Sequence, residues 1–240
     1  MVYISHSKIQ SYPPNPIEFP NFYNCKEEVY ILEEGDVLYI PPRWYHWVFS
    51  YPSKTCRENI AISYTTRGDK YIDGFYKFNS CKPFKLCLDE DDYSFLDISL
   101  KDVVKKCKLD YYQDCYKSEN STIVPVQKKG DVVQRETLSV ENILNLHRKN
   151  KYNIVIGQDD TLANKLGVDV PHFIKVAFGD DINKYMWVNL LKSKDAYIET
   201  GLHCDTTHNL LIQVKGTKVV RLYNPESSKN LYLQPLYGKH

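Results

Sequence analysis

TGLHCDTTHNLLIQVKGTKVVRLYNP, residues 200–225, is the stretch on which the reading of the fold turns. Its segments 209–214 and 217–223 are short, apolar and β-branched, and predict two strands. Only Lys215-Gly216 separates them, a hairpin signal, so the two strands are expected to pair with each other. Just upstream stands His203-Cys204-Asp205. If these residues are extended, alternation turns His203 and Asp205 to one face and Cys204 to the other. One imidazole nitrogen and one carboxylate oxygen then converge, and a His from a neighbouring strand completes a facial set of two His and one carboxylate. Such a set leaves open coordination positions and suits Fe(II) oxygenases. Alone, however, His-x-Asp is a weak signal that surface turns also carry.

Working outward, residues 28–63 are aromatic-rich and alternate. They predict a strand, a Gly35-Asp36 turn, a second strand, a Pro41-Pro42 break, a third strand, and a fourth from about Asn59. Residues 65–82 mix Gly, Pro and charge and predict a connection. A helix is expected from a Ser139 N-cap through His147, with Val140, Ile143, Leu144 and Leu146 forming its apolar face. Lys151–Ile156 and Trp187–Leu191 predict further strands. Strands thus hold both ends and helix the middle, the pattern of a mainly β protein: an antiparallel barrel or sandwich with added helices.

Composition narrows the function classes. At 240 residues, 42% hydrophobic and 25% charged, the chain has the make-up of a globular domain with a real core. A net charge of +1 argues against a dedicated nucleic-acid binder. The opening residues lack the apolar run of a secretory leader, and no apolar stretch is long enough to span a bilayer. The seven Cys include no C-x-x-C pair, which favours free thiols and an intracellular setting. The Asp89–Asp92 run reads as a solvated turn rather than a calcium loop. Asn120-Ser121-Thr122 reads as a chance glycosylation triplet.

The 200–225 stretch resembles the metal-binding half of the jumonji-C/cupin oxygenases. These share an H-x-D, an Asn four residues beyond the Asp, an apolar strand, a Gly turn and a Lys. The matching positions are His203, Asp205, Asn209, Gly216 and Lys218. The resemblance implies that Lys218 binds the distal carboxylate of 2-oxoglutarate and that Thr200 supplies a hydroxyl to the same group. A Lys ammonium facing a dicarboxylate inside a barrel makes a strong charge-assisted pair. Residues 35–46, GDVLYIPPRWYH, are similar to the family's closing strands, which makes His46 the third metal ligand, flanked by Trp44 and Trp47. Ser63 falls where a polar residue often faces the cosubstrate. One departure is Val155, at a position where the family often carries a Tyr.

In that family the H-x-D half comes first; here it comes last. The resemblance therefore implies one domain over 1–240 in permuted order. Residues 1–64 correspond to the family's C-terminal half, 65–82 to a connection, and 83–240 to its N-terminal half with the H-x-D. Chain ends that lie close in space permit such a rearrangement. The alternative accounts of the order are halves exchanged between subunits, a decayed fragment, or a segment of a tandem array.

The fold so implied is a double-stranded β-helix (jelly-roll or cupin) barrel with flanking helices. The implied activity is an Fe(II)- and 2-oxoglutarate-dependent hydroxylase. Its substrate would be a protein side chain, or a modified base as in the similar tRNA wybutosine hydroxylases. Low net charge favours the protein. Family members often dimerise, so a homodimer is among the expected states. The rivals are a catalytically silent cupin acting as a binding or assembly module, and a zinc hydrolase using His46, His203, Asp205 and His208. The spacing of His208 from His203 turns it to the opposite strand face, and such a hydrolase has no use for Lys218. His147 and His172 read as structural.

Overall fold

Alternation in the N-terminal third does what it predicts. The computed structural model describes residues 5–67, 82–88, 98–106, 112–119 and 134–234. The Asp89–Asp92 run, the 120–122 triplet and most of the 65–82 connection lie outside them. In chain order the elements are β1 (Ser5–His6), β2 (Glu27–Leu32), β3 (Asp36–Ile40), β4 (Tyr45–Tyr51), β5 (Glu58–Arg67) and β6 (Phe84–Cys87). Then come α1 (Leu100–Lys106), β7 (Tyr112–Ser118), β8 (Gln134–Ser139), α2 (Val140–Arg148) and β9 (Asn153–Asp159). The rest are α3 (Asp160–Lys165), α4 (His172–Phe178), β10 (Asn183–Leu190), β11 (Ile198–Cys204), β12 (Thr207–Lys215) and β13 (Thr217–Tyr223). Helix α2 is capped as its sequence requires, with Ser139 Oγ accepting from the Asn142 N–H and with Val140 and Ile143 buried.

The strands form two antiparallel sheets. One has the order β1-β11-β4-β13-β2, the other β6-β3-β12-β5-β10-β9-β7-β8. Between them Leu32, Leu38, Ile40, Ala61, Leu211, Val220 and Leu222 interlock in a shared apolar core. Side chains of this size contribute roughly 1.5–3 kcal/mol each when fully buried. The outer face of the larger sheet packs on the helices through Ile60, Ile62, Tyr64, Met186 and Val188. The outer face of the smaller sheet, with Tyr45, Trp47 and Phe49, is covered by Ile9, Phe22 and Leu231. The fold is a mainly β jelly roll with flanking helices, as the resemblance implies.

One expectation is overturned. Strands β12 and β13 do not form a hairpin, although a single residue separates them. β12 pairs with β3 and β5, whereas β13 pairs with β2 and β4, in the opposite sheet. Gly216, at φ 80°, turns the chain through a corner between the two sheets. The tight connection was legible; the partners were not, because each strand gains more by burying one face against non-local neighbours than by pairing with the other.

No helix among the described residues is long and apolar enough to cross a membrane.

Candidate metal centre

His46 lies on β4 and His203 on β11, directly opposite each other in the antiparallel ladder. Their ring centroids are 4.1 Å apart. Asp205 follows the end of β11, and its carbonyl accepts from the Arg43 N–H in the turn before β4. That contact ties the Asp205 turn to the strand carrying His46. His46 Nε2 is 3.8 Å from Asp205 Oδ2. One potential ligand atom from each of His46, His203 and Asp205 lies within 4.8 Å of the others, a separation that one ion bridges with small side-chain adjustments.

The ring nitrogens are already sorted for metal binding. His46 Nδ1 lies 3.1 Å from the Trp44 carbonyl, and His203 Nδ1 lies 2.7 Å from the Gly201 carbonyl. A carbonyl only accepts, so each Nδ1 carries a proton and Nε2 is the ring nitrogen left to face a metal. Burial, and then the neighbouring His46, push the His203 pKa below the ordinary imidazole range. His203 is therefore neutral near pH 7, as a ligand must be.

A register shift in β11 explains how Thr200 joins this face. Thr200 stands opposite Val48, and His203 stands opposite His46, so three steps on β11 match two on β4. The extra residue is a bulge, which lets residues of odd spacing share the inner wall.

Four residues along β4 from His46 lies the second polar group. Lys218 is buried, 4% exposed, and inward-facing with Val220 and Leu222. Its ammonium donates to Ser50 Oγ at 2.6 Å and to Asn59 Oδ1 at 2.7 Å. Asn59 is itself held through its amide N–H groups by the carbonyls of Tyr51 and Thr217. No carboxylate among the described residues pairs with Lys218, and burial lowers its pKa to about 7.

Ser63 lies on the inner face of β5 with Asn59 and Ala61, opposite Leu211. Asn209 lies on β12 opposite Ile40 and Thr65, with its buried Oδ1 unpartnered. Neither these two nor Thr200 hydrogen-bonds to the triad or to Lys218. Val155 sits with Leu191 and Ile198 in an apolar cluster that Tyr116 and Trp187 flank. His208 points away from the centre, as its spacing requires, with Nδ1 2.7 Å from the Tyr39 hydroxyl. His147 is buried on α2. Trp44 belongs to the interior and Trp47 to the outer face, where its indole N–H donates to Glu199 Oε1.

Sequence reasoning missed Ser50 and Asn59. Ser50 was within reach of alternation, being two steps of two from His46. Asn59 carries no local signal, since only the register between β5 and the β13 corner brings it to Lys218.

A family model described as the cupin-like domain matches residues 3–65 and 104–240. The chain belongs to the JmjC/cupin-like family. A curated relative, the putative JmjC domain-containing protein L887 of Acanthamoeba polyphaga mimivirus, is 23% identical over 239 residues. That match covers 92% of this chain but 38% of the relative's length. No solved structure matches. Within this cupin, the two imidazoles and the carboxylate suit a divalent ion such as Fe(II). The buried ammonium with only neutral partners suits a carboxylate.

Proposed function

We propose that this cupin is an Fe(II)- and 2-oxoglutarate-dependent oxygenase, with His46, His203 and Asp205 as metal ligands and Lys218 as the anchor of the distal carboxylate. One observation carries the reading. The lone pairs of a facial triad and an ammonium lacking an anion line the same inner face of one barrel. Ser50, which holds Lys218, stands about 13 Å along β4 from His46 at roughly 3.3 Å per residue. A five-carbon dicarboxylate, chelating at one end, is of the size to reach from a metal held by His46 toward the ammonium held at Ser50.

When bound, the iron and its cosubstrate would, with dioxygen, supply oxidative decarboxylation of 2-oxoglutarate to succinate and carbon dioxide, one oxygen atom entering the succinate and the other the hydroxylated C–H bond of the substrate. The protein's own residues do the rest. Trp44 and Val48 wall the centre against water, and the Trp44 and Gly201 carbonyls fix both imidazole tautomers. Ser50 and Asn59 aim the ammonium. Thr200, Ser63 and Asn209 supply further polar atoms on the inner wall, and the orphaned Asn209 Oδ1 is a free acceptor there. The prime substrate is a protein side chain in preference to a modified tRNA base, because a net charge of +1 is poorly suited to a polyanion.

We read the order of the two halves as a permutation within one chain, in which residues 1–64 and 83–240 complete a single barrel. The juxtaposition of His46 and His203 without a second chain supports this.

Anaerobic titration with Fe(II) and then 2-oxoglutarate tests the assignment, read by the charge-transfer absorption of the chelate and by the mass of the absorbing species. A band from the monomer is expected, and Asp205→Ala should lose it together with iron retention while keeping its fold. Full iron affinity in Asp205→Ala would sink the site. A band only from a dimer would favour exchanged halves. The second reading, a silent cupin that binds without turnover, draws on Val155, whose apolar surroundings offer the cosubstrate no hydroxyl from that side chain. Stoichiometric iron without succinate formation would favour it.

A further inference from the structure

His203 is the middle of three imidazoles in one row. His46 flanks it on β4, and His6 flanks it from the other side on β1, with the Cα atoms of His6 and His203 in direct register. The His6 and His203 ring centroids are 6.0 Å apart. Cross-strand partners in register share a face, so His6 belongs to the same inner wall as the triad. Its Nδ1 is buried and has no hydrogen-bond partner among the described residues. A buried imidazole nitrogen without a partner is costly and calls for an explanation.

The backbone around His6 is held more firmly than a two-residue strand requires. The His6 carbonyl accepts from the Gln234 N–H, Ser7 N–H donates to the Leu202 carbonyl, and Lys8 N–H donates to the Tyr232 carbonyl. Ser7 is fully buried, and its Oγ donates to the Leu231 carbonyl while accepting from the Ile9 N–H. β1 is thus held by residues 231–234 on one side and by β11 on the other. The clamp fixes an imidazole beside the metal ligands, yet His6 lies outside the tight ligand cluster.

We propose that His6 is a ligand-positioning residue of this centre, its Nδ1 donating a hydrogen bond to a small anionic ligand bound beside His203 with the metal. The inference rests on the metal reading above and adds a fourth side chain to it. The partnerless nitrogen then has a ligand atom to meet, and the clamp holds the backbone that carries it beside His203.

The test uses the full chain loaded with Co(II), a spectroscopic stand-in for iron, and titrated with azide. In His6→Leu, Co(II) affinity should stay within about threefold of the unsubstituted chain, whereas azide affinity should fall about tenfold, as expected for losing one hydrogen bond to a charged group. His6→Asn, whose amide nitrogen falls near the place of Nδ1, should recover most of the loss. Should His6→Leu not fold, His6→Gln carries the comparison, since it moves the donor one bond outward and should not rescue. Unchanged azide affinity in His6→Leu overturns the proposal and leaves His6 as packing. A loss of Co(II) affinity as large as that of His203→Ala also overturns it, by making His6 a ligand. If the unsubstituted chain takes up no Co(II), the metal reading itself fails and the role of His6 falls with it.

Discussion

An ammonium taken out of water costs several kcal/mol unless charge or hydrogen bonds compensate, and Lys218 is met only by a hydroxyl and an amide oxygen. Burial therefore pulls its pKa down to about 7. A dicarboxylate binds the protonated form, so its affinity should be greatest below pH 7. Above that it should weaken, approaching tenfold per pH unit, as the free lysine loses its proton. Calorimetry of the metal-loaded chain at pH 8, in buffers of different ionisation enthalpy, should show proton uptake on 2-oxoglutarate binding. Lys218→Met should abolish both the uptake and the pH dependence, and weaken 2-oxoglutarate at least about a hundredfold, while leaving the metal affinity alone. Proton-neutral binding in the unsubstituted chain would argue that the cosubstrate does not meet Lys218.

At the scale of elements, the corner between β12 and β13 couples backbone to site. A Cβ on Gly216 would stand 2.7 Å from the Tyr51 carbonyl oxygen and 2.9 Å from Asn59 Nδ2, on a residue at φ 80°. Asn59 is the partner that aims Lys218. Gly216→Ala should therefore destabilise the chain by about 2–3 kcal/mol, measured by urea denaturation. It should also weaken 2-oxoglutarate binding more than metal binding. An Ala variant of full stability would mean that the corner relaxes without cost. The same corner shows what local reading misses. A two-residue gap between apolar strands looks alike whether the chain folds back on itself or crosses to another sheet. Likewise, the bulge between Thr200 and His203 has no mark in the sequence, although it decides which way Thr200 points.

At the scale of the whole molecule, four imidazoles among the described residues are held below their ordinary pKa: His6, His147, His203 and His208, in each case with burial as the largest cause. His147 is lowered to about 4. A depressed pKa means that the unfolded chain takes up protons first as pH falls. The stability that these rings contribute to the metal-free fold is thus fully present above about pH 6.5 and is lost between there and about pH 4. Urea midpoints should drop steeply through that window, and Fe(II) should raise them at pH 7, since only the folded chain assembles the ligand set. A flat profile between pH 7 and 4 would mean that these rings are accessible to protons in the folded state.

What the sequence by itself determined was mostly local chemistry. Alternation in 28–63 and 209–223 set the strands, Ser139 set the start of α2, and His203-x-Asp205 set two donors close together in the chain. The resemblance carried by residues 35–46 and 200–225 added His46 and Lys218, and the three potential ligands do meet. Tertiary structure alone decided which sheet each strand joined, and hence that β12 and β13 part company at Gly216. It also decided that Ser50 and Asn59 hold Lys218, and that His6, nearly two hundred positions from His203, faces it across one ladder. The physical reason is the same in each case. Strand and turn preferences are set by a residue and its neighbours, whereas pairing partners and register follow from burying two sheets against each other, which no single stretch of the chain encodes.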